Sequence, residues 1–450
     1  MTPHTRPGAL VVLGAMLGHR YPAVLPAAAR RGLTVFGVDD LNPRNASVDA
    51  ARRRDPAHPL AGLAEVAWIP DDRPHDVLEQ VVTWSHGHDI AAVVAFGEAY
   101  VDAAAIVADC LGLRGPGLRA SRVCRNKLLQ RRYLGQWSPR SRLLPPGGRT
   151  EAMAGWDTFP AVVKPVGRMA SSGVRRVGDA AELRAAVDRY APVEPAVVEE
   201  LVEGPELSVE SLVAQGRAVF TAVTGKSTNE TGSEHFVEMG HTVPDPRLSP
   251  DILAAVLAAN AAILQRLAFV DGAAHAEYRI GPSGQVTLME IAARPAGDSI
   301  YALYHLATGV PLEETLLAIL LGEAVEHPPP RRVARQVYVP HEPGILRAVH
   351  ADGLGVPVSG LSDPTWPSVT PLEPDAPATV HVVMVGRPLG TRLRTIQESA
   401  DRSACFVIDA PTLADLDRIE ARCRAAVRVE VEPLPRDQVA AGRLDPVPAG

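Results

Sequence analysis

Lysine is scarce in this sequence. Only three of its 45 basic residues are lysines, and these are Lys127, Lys164 and Lys226. The other basic residues are arginines, whose planar guanidinium cannot imitate the compact ammonium of lysine. We therefore expect the three retained lysines to sit where a point charge is needed. Chance survival of three scattered lysines is the simpler alternative, and the segments around them weigh against it.

The sequence also has few cysteines and no long apolar segment near its start. An apolar run from Ala9 to Leu17 is too short to span a bilayer and lacks the charged leader and cleavage site of a signal peptide. The cysteines show no spacing typical of a metal site, which favours reduced thiols. They are Cys110, Cys124, Cys405 and Cys423. We predict a cytoplasmic protein with no membrane partner.

An excess of basic charge is absent as well. The net charge is −7, which argues against a nucleic-acid partner, because such a partner requires a basic face. With 22% charged and 46% hydrophobic residues, the 450-residue chain is typical of a globular protein with two or three domains. We place these domains at 1–118, 119–328 and 329–450, with a turn-rich boundary at 115–117.

The first of these domains alternates apolar strands with a helix. ALVVLGAML, a helix over 21–31 and GLTVFGVDD are followed by the buried strand IAAVVAF, which predicts a doubly wound parallel sheet. The glycines in the first turn, Gly14 and Gly18, do not complete a dinucleotide fingerprint, so NAD binding is weakly supported. We interpret Asp39, at the end of the second strand, as a strand-end cap.

Two acidic residues stand on a predicted hairpin over 272–292. Alternation in AHAEYRI and VTLMEIA, around a turn at 281–284, predicts two antiparallel strands. Each strand carries one glutamate among apolar neighbours, Glu277 and Glu290, and Arg294 follows. Burying a carboxylate is costly unless a cation compensates it, so this set favours a site for Mg²⁺ and an anionic group. An ordinary hairpin with solvated glutamates is the alternative.

Two of the lysines stand beside segments suited to phosphate. FPAVVKPVGRMASSGVRRV predicts a strand ending in Lys164, a loop of small residues and a second strand. Small residues let backbone N–H groups approach phosphate oxygens, and lysine adds charge. Lys127 lies in a basic segment, 119–134, which we predict to be one helix. The pattern of a Walker loop is absent.

A third segment, AVVEELVEGPELSVESLV, predicts two strands around Gly204-Pro205. The carboxylates Glu199, Glu200 and Glu206 cluster at the strand ends. A strand that crosses a cleft offers backbone groups to adenine, and a nearby glutamate accepts from ribose hydroxyls.

Further elements are predicted around these motifs. We expect a linker over 138–148, helices over 251–267, 308–321 and 410–428, and a last strand over 427–434. Ser249 and Pro250 mark the start of the helix over 251–267. The final residues are expected to be disordered.

Five motifs then occur in a recognisable order. They are Asn126-Lys127, VVKP with SSGV over 162–174, VEEL-x-x-G-x-E over 198–206, H-x-E over 275–277 and MEIAARPAGD over 289–298. Together they resemble the ATP-grasp superfamily, whose members join a carboxylate to an amine or thiol through an acyl phosphate. The resemblance covers roughly 10–323. It implies an α/β (α+β) chain with a central two-lobed ATP-grasp fold and a β-rich C-terminal domain.

The resemblance also implies roles for particular residues. Lys127 and Lys164 would hold the phosphates of ATP, under the loop of Ser171, Ser172 and Gly173. Glu199, Glu200, Leu201 and Val202 would form the adenine hinge, largely through the backbone, and Glu206 would bind the ribose. Glu277 and Glu290 would bind one or two Mg²⁺ ions, with Mn²⁺ as an alternative, and Arg294 would steady the acyl phosphate.

One position departs from the family pattern. Many ATP-grasp enzymes have asparagine two residues after the second metal glutamate, and here that residue is Ala292. The departure puts the geometry of a second Mg²⁺ in doubt.

The segment over 224–244 narrows the resemblance. Its FVEMGH pattern, with Glu238 and His241, looks like the dipeptide-forming L-amino-acid ligases of the alanine–anticapsin ligase type. In that group, an acidic residue and a histidine near this point face the substrate. Lys226, in the same segment, would reach the γ-phosphate or the incoming carboxylate. An ordinary loop remains the alternative.

We therefore expect an ATP-dependent ligase that joins an amino acid or similar acid to an amine, giving ADP and phosphate. Other ATP-grasp activities, such as loading an acyl-carrier protein or carboxylation, stay open, as does a non-catalytic nucleotide-binding regulator. The expected partners are small amino acids or carboxylic acids, and a homodimer is an open alternative to a monomer.

Overall fold

The fold was determined as a computed structural model, which describes residues 6–71, 73–231, 233–245, 247–360 and 368–434. The expected disorder of the last residues falls mostly outside these ranges. Its α/β architecture confirms the predicted class. All four cysteines are free thiols, as predicted.

The N-terminal part contains a parallel sheet of order β3-β2-β1-β4. Its strands are β1 (Gly8–Leu13), β2 (Thr34–Asp39), β3 (Leu63–Trp68) and β4 (Asp89–Ala95), and its helices are α1 (Val24–Arg30), α2 (Pro43–Arg54), α3 (Pro74–Ser85) and α4 (Val101–Leu111). The carboxylate of Asp39 accepts hydrogen bonds from the backbone N–H of Met16 and from the side chain of Asn45, which confirms its role as a strand-end cap.

The basic segment after this sheet forms two helices instead of the predicted one. These are α5 (Leu118–Cys124) and α6 (Lys127–Tyr133). The side chain of Asn126 accepts a hydrogen bond from the N–H of Leu129 at 3.0 Å and so caps α6. Because an N-cap residue takes a non-helical conformation, Asn126 breaks the helix just before Lys127.

A small antiparallel sheet of order β5-β8-β6-β7 follows. It consists of β5 (Ser141–Leu144), β6 (Ala161–Pro165), β7 (Arg175–Val177) and β8 (Ala196–Glu200), with helices α7 (Arg149–Ala154) and α8 (Ala180–Val187). The linker predicted over 138–148 is therefore wrong in part, because β5 lies within it. Leu144 is fully buried and pairs with Ala196, and this packing outweighs the prolines and glycines that follow it.

The rest of the chain forms a large sheet and a smaller one. The strands are β9 (Glu206–Ala214), β10 (Arg217–Thr228), β11 (Glu238–Val243), β12 (Gly272–Ile280), β13 (Val286–Ala292), β14 (Val333–Val339), β15 (Gly344–Ala351), β16 (Val358–Ser359), β17 (Thr379–Val385), β18 (Arg392–Leu393), β19 (Ala404–Ala410) and β20 (Val427–Glu432). Over the described ranges, the large sheet has the order β13-β12-β9-β10-β11-β14-β19-β17-β16, and the smaller one the order β18-β15-β20. The large sheet thus runs on past the boundary that we predict near residue 329.

Helix α9 (Pro250–Leu267) agrees with the prediction, and the Ser249 side chain caps it. It is the one described helix long and apolar enough, by length and composition, to cross a membrane. One face packs into the core through Val256, Ile263 and Leu267.

The helix predicted over 308–321 begins later, as α11 (Leu312–Leu321), and Thr308 ends a separate helix, α10 (Ile300–Thr308), that was not predicted. Gly309 adopts a left-handed conformation with φ of 83°, which ends α10, and Pro311 precedes α11. The last helix in the described part of the chain is α12 (Leu413–Ala426). Helix α11 packs against α1 and β4, so the N-terminal sheet and the large sheet share one core.

A buried ion pair fixes the start of β14 to β19. Nε of Arg332 lies 2.6 Å from the Asp409 carboxylate, and both side chains are almost fully buried. The same guanidinium donates to the backbone carbonyls of Glu373 and Ala376.

We predict that Arg332→Met lowers the free energy of unfolding by about 3–5 kcal/mol, because it removes the guanidinium from a buried carboxylate and leaves it with His381, at 2.8 Å, as its remaining side-chain partner. Urea denaturation followed by circular dichroism measures this loss. Arg428→Met, which breaks an exposed pair with Asp352, is the matched control and should cost less than about 1 kcal/mol. Equal effects of the two substitutions would contradict the view that the buried ion pair stabilises the fold more than the exposed one.

Candidate active site

The candidate site lies where the small sheet meets the large one. Residues 201–205 connect β8 of the small sheet to β9 of the large sheet, as a hinge that crosses the gap between two lobes. Gly204 has a φ of 110°, and a Cβ there would lie 2.0 Å from the carbonyl oxygen of Ile280. A glycine is therefore required for the hinge to pass this close to β12.

Glu277 and Glu290 face each other across β12 and β13. The two residues are register partners of the antiparallel pair, so their side chains leave the same face of the sheet. This confirms the hairpin that the alternation predicts. Like charges directly opposite each other are unfavourable, so cations must lie close by.

The carboxylate of Glu277 has two cationic neighbours. Its Oε1 lies 2.6 Å from Nζ of Lys226 and 3.1 Å from Nε2 of His275, whose Nδ1 lies 2.9 Å from Glu210. Burial alone would lower the pKa of His275, but Glu210 and Glu277 outweigh it and raise that pKa to about 10. Burial would raise the pKa of Glu277, but Lys226 and His275 hold it well below its usual value. At neutral pH His275 and Glu277 are therefore both charged.

Lys226 lies among three carboxylates. Besides Glu277, its ammonium contacts Glu206 at 3.0 Å and Glu238 at 3.3 Å. Its side chain is 1% exposed. Glu206 also accepts hydrogen bonds from Arg279, a residue that no sequence motif indicated.

Glu290 pairs with Lys127 at the start of α6. Nζ of Lys127 lies 3.1 Å from Glu290 and donates to the carbonyl of Arg168, in the loop after β6, at 2.6 Å. The side chain of Gln130 bonds to both the N–H and the carbonyl of Ile291, which fixes α6 along β13. Lys127 therefore connects the large sheet to the small lobe.

Lys164, the last but one residue of β6, pairs with Glu199. Its Nζ lies 2.7 Å from Glu199, and Arg131 contacts the same carboxylate at 2.5 Å. Burial would raise the pKa of Glu199, but these two cations outweigh it and lower that pKa to about 2. Because its side chain is committed to these pairs, the Glu199 carboxylate is not available to a ligand. Arg131 escaped prediction because it is one of several arginines on a basic segment.

The rest of the predicted hinge is tied to neighbouring segments. The Glu200 carboxylate accepts the N–H of Arg140 at 2.8 Å, the N–H of Leu201 donates to the carbonyl of Pro160, and the Val202 carbonyl accepts from Arg279.

The small-residue loop lies between β6 and β7 and includes Ser171, Ser172 and Gly173. Ser171 and Gly173 have positive φ angles of 59° and 75°. The hydroxyl of Ser171 donates to the carbonyl of Phe236, across the cleft. This places the loop over the gap between the lobes.

Glu238 and His241 lie on β11 and have different neighbours. Glu238 contacts Lys226 and accepts from the hydroxyl of Ser399. His241 contacts Asp298 at 2.9 Å, and Arg402 holds the same aspartate through two bonds of 2.8 Å. His241 is the register partner of Lys226, but its ring pairs with Asp298 and not with the carboxylates around that lysine. Arg402 escaped prediction because it stands far from every motif.

Arg294 reaches the N-terminal part of the chain. It forms a buried ion pair with Glu98, which lies just after β4. Tyr21 donates a hydrogen bond to the Ala296 carbonyl at 2.8 Å, which is a second connection between the N-terminal part and the segment after β13. The structure thus brings one set of predicted site residues together through ion pairs and strand pairing: Lys127, Glu206, Lys226, Glu238, Glu277 and Glu290. Lys164, His241 and Arg294 pair instead with residues outside this set.

Comparisons with known proteins address the fold. Residues 157–302 match the family described as the ATP-grasp domain. An uncharacterized protein of Sinorhizobium fredii is 26% identical over 332 residues, which cover 68% of this chain and 67% of that protein.

Two solved structures extend the likeness. The L-amino acid ligase of Bacillus licheniformis superposes with a TM-score of 0.72 at 19% identity, over 95% of this chain and all of that one. The biotin carboxylase domain of the Hydrogenobacter thermophilus 2-oxoglutarate carboxylase, in complex with MgADP and bicarbonate, superposes with a TM-score of 0.64 at 13% identity, over 95% and 92%. At such identities the likeness concerns the fold. Residues 157–302 therefore match an ATP-grasp domain, and nearly the whole chain shares the fold of these two solved structures.

Proposed function

We propose that the protein is an ATP-dependent ligase that joins the carboxylate of an amino acid or similar acid to an amine. The observation that carries the proposal is the pair of facing carboxylates, Glu277 and Glu290, in a cleft between two lobes lined by lysines and arginines. An acyl phosphate forms first, with ADP as the product, and the amine then displaces phosphate.

The nucleotide binds across the hinge in this proposal. Adenine takes backbone groups of 199–202, and the ribose lies near Glu206, the first residue past the hinge. In this proposal Lys127 and Lys164 hold the phosphates under the loop of Ser171, Ser172 and Gly173, and the contact of Lys127 with the carbonyl of Arg168, earlier in that loop, supports it. Ammonium groups and backbone N–H groups together suit the phosphates.

The carboxylate pair fits a hard divalent cation. Mg²⁺ prefers carboxylate oxygens together with substrate phosphates, and Glu277 and Glu290 offer oxygens from paired strands. When bound there, Mg²⁺ neutralises charge that develops on the phosphates. Mn²⁺ is an alternative ion with the same ligand preference.

Arg294 and Glu238 take part in the transfer in this proposal. The substrate carboxylate attacks the γ-phosphorus, the bond to ADP breaks, and Arg294 stabilises the acyl phosphate. The amine nitrogen then attacks the acyl carbon, the bond between carbon and the phosphate oxygen breaks, and phosphate leaves. Glu238 or His241 accepts the amine proton, as a positioned base. Lys226 holds Glu238 near the Mg²⁺ ligand Glu277.

The fold of an L-amino acid ligase supports amino acids as substrates, and the fold of a carboxylase keeps bicarbonate open. We retain small molecules as the partners and the cytoplasm as the location.

A substrate panel tests the proposal. The chain is incubated with Mg²⁺ and ATP against single amino acids and pairs, and ADP, phosphate and conjugates are measured by mass spectrometry. A pair that yields ADP, phosphate and a dehydrated conjugate is the expected result. Turnover only with bicarbonate or a carrier protein would favour another ATP-grasp activity, and ATP binding without turnover would favour a regulator.

We predict that Glu290→Gln lowers turnover about 10²- to 10³-fold, because it removes charge from the proposed Mg²⁺ site but keeps the size of the side chain. ADP release with the active pair measures the effect. Glu430→Gln, on the exposed strand β20, is the matched control and should keep wild-type activity. A Glu290→Gln variant with wild-type turnover would show that the metal assignment is wrong.

Lys164→Arg should also lose at least about 10² in turnover, although charge is kept. The guanidinium is larger, and Arg131 already occupies the other side of Glu199. Arg176→Lys, an exposed reverse exchange on β7, is the control and should be silent. Full activity of Lys164→Arg, with unchanged melting temperatures for both variants, would refute the need for a point charge.

A further inference from the structure

Lys226 and the three carboxylates around it, which we call the lysine-centred group, have the geometry of a cation site. Glu206, Glu238 and Glu277 each offer a carboxylate oxygen, and these oxygens lie within 4.8 Å of one another. Three carboxylates at such spacing could hold a metal ion, and here the ammonium of Lys226 contacts all three at 2.6–3.3 Å. An internal ammonium therefore stands where a cation could bind.

The charges around this ammonium show how much depends on it. Glu206 has a second cation, Arg279, and Glu277 has His275. Within the described residues, the side chain of Glu238 contacts no cation other than Lys226, since its second oxygen accepts from the Ser399 hydroxyl. The guanidinium of Arg402 donates to the backbone carbonyl of Glu238 at 3.0 Å, so removal of the ammonium would leave this carboxylate with a cation nearby but none in direct contact with its side chain.

The cationic contacts of Glu277 use only one of its two carboxylate oxygens. Lys226 and His275 both bond to Oε1, and neither uses Oε2. Oε2 therefore stays available for an ion shared with Glu290, the register partner on β13. Glu277 can face an ammonium through one oxygen and a divalent ion through the other.

The other side of the carboxylate pair offers few further ligands. Two residues beyond Glu290, the chain has Ala292, which is buried opposite His275 and has no oxygen in its side chain. Lys127 already contacts Oε1 of Glu290. Among the described residues, no group of three acidic, histidine or cysteine side chains at metal-ligand spacing includes Glu290, so the pair has the donors for one divalent ion and no third such ligand for a second.

We propose that the site binds one divalent ion between Glu277 and Glu290, and that the ammonium of Lys226 takes the place of a second cation. This inference rests on the proposed function and defines its metal requirement. It also gives Lys226 a role distinct from a direct contact with phosphate: its charge keeps Glu206, Glu238 and Glu277 together.

The number of bound Mn²⁺ ions tests the inference. Electron paramagnetic resonance counts Mn²⁺ bound to the full chain in the presence of the β,γ-imido analogue of ATP. The unaltered chain should bind one ion, and Lys226→Gln should bind two, because the three carboxylates then recruit an ion. Arg217→Gln, an exposed exchange on the same strand β10, is the control and should bind one.

A compensating variant separates charge from simple packing. Adding Glu238→Gln to Lys226→Gln removes one carboxylate, so the ion count should return to one and the melting temperature should rise above that of Lys226→Gln. This comparison remains informative if Lys226→Gln alone fails to fold. A double variant less stable than the single one would overturn the inference.

Other outcomes have distinct meanings. Two ions on the unaltered chain, or one ion on a folded Lys226→Gln variant, would contradict the inference that the Lys226 ammonium takes the place of a second cation. Either result would leave the ligase proposal standing. No Mn²⁺ bound with the nucleotide analogue would overturn the proposed function itself.

Discussion

Two like charges face each other on paired strands, and the rest of the cleft depends on how they are compensated. Glu277 and Glu290 leave the same face of the large sheet. Such an arrangement is costly in a partly buried site unless cations approach it from other elements. Lys226 approaches from β10 and Lys127 from α6, so the carboxylate pair ties the helix and the strands of the large sheet to one point.

The cations are themselves held by contacts from the other parts of the chain. Lys127 donates to the loop after β6, Lys164 shares Glu199 with Arg131, and Arg294 pairs with Glu98 beyond the N-terminal sheet. The site is thus assembled from three parts of the fold, joined by charge. Because each of these charged groups has a charged partner at short distance, a ligand that removes one partner would disturb its neighbours. Electrostatic positioning is what ATP-dependent group transfer requires from a protein.

Short-range sequence patterns predicted those elements whose structure is determined by residues close together in the chain. Alternation gave the β12–β13 hairpin with Glu277 and Glu290 in register, and capping residues gave the start of α9. Asn126 was also a local signal, an N-cap inside a basic segment, and it was overlooked. Strand β5 was hidden, because its pairing with β8 is made across about fifty residues. The partners Asp298 and Arg402 stand 104 residues apart, so no spacing could have joined them.

Transfer of oxygen from the carboxylate tests the central claim most directly. The acid substrate is labelled with ¹⁸O in its carboxylate, and the products of one amine-dependent reaction are examined by mass spectrometry. An acyl phosphate requires that one labelled oxygen leaves with inorganic phosphate, alongside unlabelled ADP. Unlabelled phosphate, or label in AMP, would contradict the proposed ligase.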